Sequence, residues 1–206
     1  MSSILVLLIV FFFLSMATVG LMIYLDMRPY AVKPPQLNHL DGSKDVTTAD
    51  ATASHQEDKA TGEIKADASV NGSGKAEASA ELGHEFQFNG KERKRFNLAI
   101  YYGYRAHVQV DEGPAQSRAL IQAVLLPEST NEVLNEVRSE VGVKDSPEGN
   151  DLTFDIQKVP VFLEPKQKCK AFLKVTAYAE SLDETQKARC QTGIVGKITQ
   201  IKLTPT

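Results

Sequence analysis

The chain has 206 residues, enough for one domain with extensions. Its formal net charge is −3, from 23 basic and 26 acidic residues, which excludes nucleic-acid recognition by bulk electrostatics. Neither end carries a run of like charge long enough to act as a polyelectrolyte tail.

After a short tail (1–3), residues 4–25 read "ILVLLIVFFFLSMATVGLMIYL", without a charge. As a helix this run would be about 33 Å long, against a hydrocarbon core of about 30 Å, and the composition predicts an uncleaved transmembrane helix. A cleaved signal peptide is the rival, because Ser15–Ala17 carries small residues at peptidase spacing. Against it, the apolar run continues beyond that point and "MSS" lacks a positive n-region. Tyr24 and Tyr30 lie at or beyond the end of the run, where amphipathic rings suit the headgroup region.

Residues 26–83 are expected to form a proline-containing exit and a disordered polar linker. Pro29, Pro34 and Pro35 stiffen the exit. From Leu37 to about Gly83 the chain lacks aromatics and consists almost wholly of small and charged residues. Such a tract buries too little apolar area to offset its chain entropy.

From His84 to Thr206 the pattern predicts a β-rich domain, sandwich-like or α+β, with one clear helix. "RFNLAIYYGYRAHVQV" (95–110) places an apolar or aromatic residue at every even position. It reads as one long strand, bent at Gly103, with Phe96, Leu98, Ile100, Tyr102, Tyr104, Val108 and Val110 facing a core. Further strands are expected at 119–127, 151–156, 159–165, 170–179 and 192–204, and Pro160 argues for an edge strand. Ser129 and Glu132 form a possible capping box for a helix over 129–142, with Val133, Leu134, Val137 and Val141 on one face. A second, weaker Ser-x-x-Glu start lies at Ser181 and Glu184.

Cys169 and Cys190 are the only cysteines, and a single even pair suits a disulfide in an oxidising compartment. Geometry limits this reading, since a strand over 170–179 would carry the chain about 33 Å away. The pair argues for an extracytoplasmic domain. The positive-inside count, with Arg28 and Lys33 after the run, argues for a cytoplasmic one. The expected location is a single-pass membrane protein with its domain outside the cytoplasm.

The sequence has no GxSxG, HExxH, phosphate-binding glycine loop or CxxC motif. No cofactor and no metal site are expected. Tyr101, Arg105 and His107 share the odd face of the long strand and form one candidate ligand surface. A lone strand histidine is, however, more often solvated or packed than functional. Lys91, Arg93, Lys94 and Arg95 form the densest basic cluster, and a solvated hairpin loop is the plain alternative to a lipid-binding role.

The reading is a non-catalytic structural, adaptor or partner-binding module of an envelope or secretory-pathway assembly. Its expected partners are the bilayer through residues 4–25 and a protein. One alternative is an anchored enzyme or small-ligand binder using Arg105 and His107. Another is a cytoplasm-facing membrane anchor using the 91–95 cluster.

Overall fold

The computed structural model describes residues 3–26, 28–127, 135–139, 152–183 and 185–206. The tract expected as linker contains strands β2 (Asn38–His39), β3 (Lys44–Asp58) and β4 (Glu63–Gln87). β4 runs for 25 residues and pairs with four others, so it is the structural spine and not a tether. The reason lies in its alternation. Ile64, Ala66, Ala68 and Val70, then Ala76, Ala78, Ala80 and Leu82, are all buried. The intervening odd positions carry Lys65, Asp67, Lys75 and Glu77, which are half-buried and keep one side polar. Alanine supplies the inward face, at about 0.8 kcal/mol per buried carbon, and the pairing on both edges of β4 supplies the rest.

The other strands are β1 (Tyr30–Val32), β5 (Lys94–Glu112), β6 (Ala115–Pro127), β7 (Asn135–Ser139), β8 (Thr153–Leu163), β9 (Lys168–Ser181) and β10 (Ala188–Pro205). They form one hydrogen-bonded sheet in the order β7-β6-β9-β4-β10-β5-β8, with β1 on β10 and with β2 and β3 on β4. β4 uses residues 75–87 to pair with β9 and residues 63–72 to pair with β10. The β3–β4 ribbon is doubled over between these two stretches. His55 Nδ1 lies 2.9 Å from Asp45 Oδ1, although ten residues of straight strand would separate them by about 33 Å. The bend falls where the β3–β4 register shifts between Ala49 and Ala51, opposite Gly72 and Gly74. Both glycines have positive φ, 140° and 117°.

The doubled ribbon stacks the two halves of the sheet face to face, in a sandwich-like arrangement. Side chains of Val175 and Leu173 on β9 close over Gly196 of β10, and Thr192 Oγ1 donates to the Tyr178 carbonyl at 3.0 Å. The β5–β6, β8–β9 and β9–β10 connections each cross from one layer to the other. Leu182 N donates to Pro114 O at 2.8 Å and ties two of these crossings together.

The long strand over 95–110 is present as β5, with Phe96, Leu98, Ile100, Tyr102 and Ala106 buried. The irregularity expected at Gly103 lies on the neighbouring strand: β10 shifts register between Ile198 and Gln200, opposite Tyr102 and Tyr101. Val110 is exposed, beyond the end of the core. β8 is an edge strand that contains Pro160, as its sequence implies.

Three further expectations are corrected. The apolar N-terminal run forms helix α1 (Ser3–Asp26), but among the described residues no helix is long and apolar enough to cross a membrane. The transmembrane helix, the bilayer as partner of residues 4–25 and the single-pass extracytoplasmic location are therefore not supported. Within the segment expected as a helix, Asn135–Ser139 is β7, antiparallel to β6, and the rest of that segment lies outside the described residues. Over the described residues the fold is mainly β, and Asn135–Ser139 is strand where helix was expected.

A polar seam closes the doubled edge. Glu57 on one limb of β3 bonds to His39 and Ser43 from the other layer, and Glu81 N donates to Glu57 Oε1 at 3.1 Å. Lys174 Nζ meets the buried Glu81 carboxylate at 2.7 Å. Burial raises the Glu57 pKa, but the Ser43 and His39 hydrogen bonds, the Glu81 N–H and the His39 charge together hold it below its ordinary 4.5. This stabilisation is present above the unfolded-state value and is lost as pH falls through the lower folded value. Urea unfolding from pH 7 to pH 3 should show stability declining below about pH 4.5, with a shallower decline in Glu57→Gln. An identical slope in both proteins would contradict the seam's role.

A Cβ on Gly74 would lie 2.2 Å from the Thr48 carbonyl oxygen. Gly74→Ala is therefore expected to cost at least ~2 kcal/mol in urea unfolding, from strain at positive φ combined with a backbone clash.

Candidate ligand-binding face

The register of β3, β4, β10 and β5 sets the composition of the outer face of one layer. Ser54 pairs with Asp67, Asp67 with Gly193, and Gly193 with His107. In the next row Thr52 pairs with Ser69, Ser69 with Gln191, and Gln191 with Gln109. Inward positions alternate with these, so the two rows are polar throughout. Glycine at 193 leaves a gap in the first row. The result is a trough of about 360 Å³ floored by Gly193 and walled by Asp67, Ser69, Thr52, His107 and Gln191.

The hydrogen bonds fix how the walls are presented. Asp111 Oδ1 only accepts, so Gln109 turns its Nε2 toward that carboxylate. Gln109 Oε1 then faces His107 Nε2 at 2.9 Å and Gln191 Nε2 at 2.9 Å. An amide oxygen accepts, which makes His107 Nε2 the protonated nitrogen and a donor. This imidazole nitrogen is not available as a base. On the far wall Thr52 Oγ1 and Ser69 Oγ are 2.7 Å apart, and Lys65 Nζ holds Asp67 Oδ2 at 2.8 Å. The trough is a preformed set of donors and acceptors on rigid strands.

The structure divides the residues singled out from sequence. His107 lines the trough. Arg105 is on the same face one pair further along, opposite Val195. Tyr101 is half-buried and lines a separate depression of about 330 Å³ with Asn97, Lys158 and Lys202. Thr199 Oγ1 donates to the Tyr101 carbonyl at 3.1 Å, at the β10 irregularity that separates the two depressions.

The basic cluster is drawn toward β8. Arg93 Nε pairs with Glu164 at 3.2 Å, its guanidinium lies 4.7 Å from the Phe162 ring centroid, and that of Arg95 lies 6.0 Å away. Lys91 is exposed in a bend, and Lys94 lines a cleft at the end of the sandwich. Sequence reasoning missed Asp67, Ser69, Gln191 and Gly193. Gln109, two residues from His107 on one face, was within reach of the alternation; the others required the register.

The expected disulfide is corrected. Cys169 and Cys190 are both free and buried. Cys190 Sγ lies 3.9 Å from the Glu180 carbonyl, whereas Cys169 is eleven residues further back on β9, about 36 Å along the strand. Disulfide formation requires Cα atoms within about 7 Å. Burial, aided by the Glu85 charge, raises the Cys169 thiol to about 11. Among the described residues, no group of three or more His, Cys, Asp or Glu is placed to hold a metal ion.

No protein family and no curated relative matches this sequence. The solved structures that show likeness include the following two. One comes from work on the promiscuous specificity of carbohydrate-binding modules of the β-sandwich superfamily; it is 16% identical, with 78% of this chain and 57% of that chain covered, at a TM-score of 0.28. This chain therefore spans little more than half the length of that structure. The other is TmCBM61 in complex with β-1,4-galactotriose, 11% identical, with 81% and 90% covered, at a TM-score of 0.25. Scores this low define neither the fold nor the ligand of this chain, whose description rests on its own strands.

A thiol-reactive probe at pH 8 should label the folded chain slowly and should reach both cysteines only after unfolding in urea. Rapid labelling of the native chain, or absence of free thiols after unfolding without reductant, would overturn this assignment.

Proposed function

We propose that the chain is a non-catalytic binding module whose ligand is neutral and rich in hydroxyl groups, of the oligosaccharide type. The supporting observation is the Gly193-floored trough. Its walls combine a carboxylate, a carboxamide, an imidazole N–H and two hydroxyls, all on paired strands. A hydroxyl both donates and accepts, and this mixture of side chains satisfies it in either role. A carboxylate held by its own lysine and amides held by each other carry little net charge to attract an ion. Rigid strands lower the ordering cost of binding. Among the described residues no Ser, Thr or Cys side chain is hydrogen-bonded to a histidine as a nucleophile would be.

Gly193→Val provides the test. Gly193 lacks positive φ, and a Cβ there meets only the Asp67 side chain, at 2.9 Å, so a β-branched residue fits the strand while filling the trough. Titration calorimetry against a panel of neutral oligosaccharides should show binding by the parent chain. The variant should bind at least tenfold more weakly with its melting temperature nearly unchanged. Failure of the parent to bind any member, or equal binding by the variant, would refute the proposal.

A further inference from the structure

The depression that contains Tyr101 lies on the same outward face as the trough but differs from it in charge. Lys158 of β8 and Lys202 of β10 both pair with Ala99 of β5, so they flank it in one row across three strands. At about 4.8 Å per strand spacing, their Cα atoms stand roughly 10 Å apart. Ala99 is an outward residue yet only 8% exposed, because the surrounding side chains lie over its methyl group. On one side of this row Asn97 stands between Thr204 and Pro160, and on the other side is Tyr101, which is half-buried. Together these residues line an open depression of about 330 Å³.

Among the described residues, neither Lys158 nor Lys202 has an ion-pair or hydrogen-bond partner. The outward positions of β5 over 97–103, of β8 over 156–160 and of β10 over 200–204 include no carboxylate, although the whole chain has a net charge of −3. Two cations therefore face a common gap with nothing of opposite sign beside them. Lysine ammonium groups act as point charges and bind phosphate-type groups, without the planar fork by which arginine grips a carboxylate. We infer that the depression binds a tetrahedral oxyanion carried as a phosphate or sulfate monoester. One terminal oxygen meets Lys158, one meets Lys202, and one meets the Asn97 amide and the Thr204 hydroxyl. A carboxylate has two oxygens in one plane and leaves one of these three sides unmet. Tyr101 forms the fourth side and receives the organic arm of the ester. His107 is six residues from Tyr101 along β5, about 20 Å, so this site is separate from the trough and does not depend on what the trough binds.

The test titrates phenyl phosphate, phenyl sulfate, benzoate and inorganic phosphate into the full chain at constant ionic strength, followed by backbone amide resonances. At least one of the two monoesters should shift the Ala99, Tyr101 and Thr204 signals and bind at least fivefold more tightly than benzoate. The tighter of the two identifies the ester. Inorganic phosphate should bind at least twofold more weakly than that ester, since it has no arm to lay on Tyr101. Lys158→Gln combined with Lys202→Gln should weaken the ester at least tenfold with the melting temperature nearly unchanged, both lysines being at the surface. Lys33→Gln combined with Lys91→Gln removes the same charge from exposed positions elsewhere and should leave binding unchanged, as should Gly193→Val in the trough. No binding of either monoester, equal affinity for benzoate or for inorganic phosphate, undiminished binding in the Lys158 and Lys202 variant, or the same loss in the Lys33 and Lys91 variant would each overturn the assignment.

Discussion

The doubled β3–β4 ribbon is the constraint on which the other elements depend. One strand, β4, belongs to both layers, and it does so only because the chain turns back at residues 71–74 while β3 follows on its outer edge. Gly72 and Gly74 provide φ values unfavourable to other residues, and the extra length lies on β4, where Asn71, Gly72 and Ser73 stand opposite the single residue Asp50. Once the ribbon is folded, β9 has one limb to pair with and β10 the other. The seam of Glu57, His39, Ser43, Glu81 and Lys174 then fills the edge where two polar limbs meet. A half-buried charge network is tolerable there because most of its members are hydrogen-bonded and its rim is open to water.

Much of the domain after residue 84 was legible in sequence, because its alternation uses large apolar side chains. β5 shows this best: its even residues from Phe96 to Ala106 form the inward face. Pro160 marked an edge strand because a proline cannot donate to a ladder. β4 was not legible as a strand because its inward residues are mostly alanines, whose composition matches that of a disordered tract. The alternation was present, but its amplitude was one methyl group. Its burial depends on partners about a hundred residues away, and pairing of that kind leaves no local trace. The segment containing β7 failed for the opposite reason: a good capping box and a helical apolar spacing were overridden over Asn135–Ser139 by a vacant edge on β6. For the cysteines, even number suggested a bond, whereas strand length alone was enough to keep the sulfurs apart.

The candidate site divides in the same way. His107 and Gln109 could be placed on one face from alternation alone. Their opposite wall comes from residues read as linker, and the floor exists because Gly193 falls beside Asp67. Outward positions of this sandwich layer are polar and give a trough of hydrogen-bonding groups.

The strand order carries a consequence for biosynthesis. β4 is complete at Gln87, yet both of its principal partners, β9 and β10, begin after residue 167. At about 5–20 residues per second, a ribosome takes roughly 4–16 s to make the intervening chain. Throughout that interval the ribbon presents unpaired backbone along one edge, and exposed edges of this kind invite association with other chains. The lysines, aspartates and glutamates at its odd positions carry charge along that edge, so the residues that made this tract resemble a linker also protect it before its partners arrive.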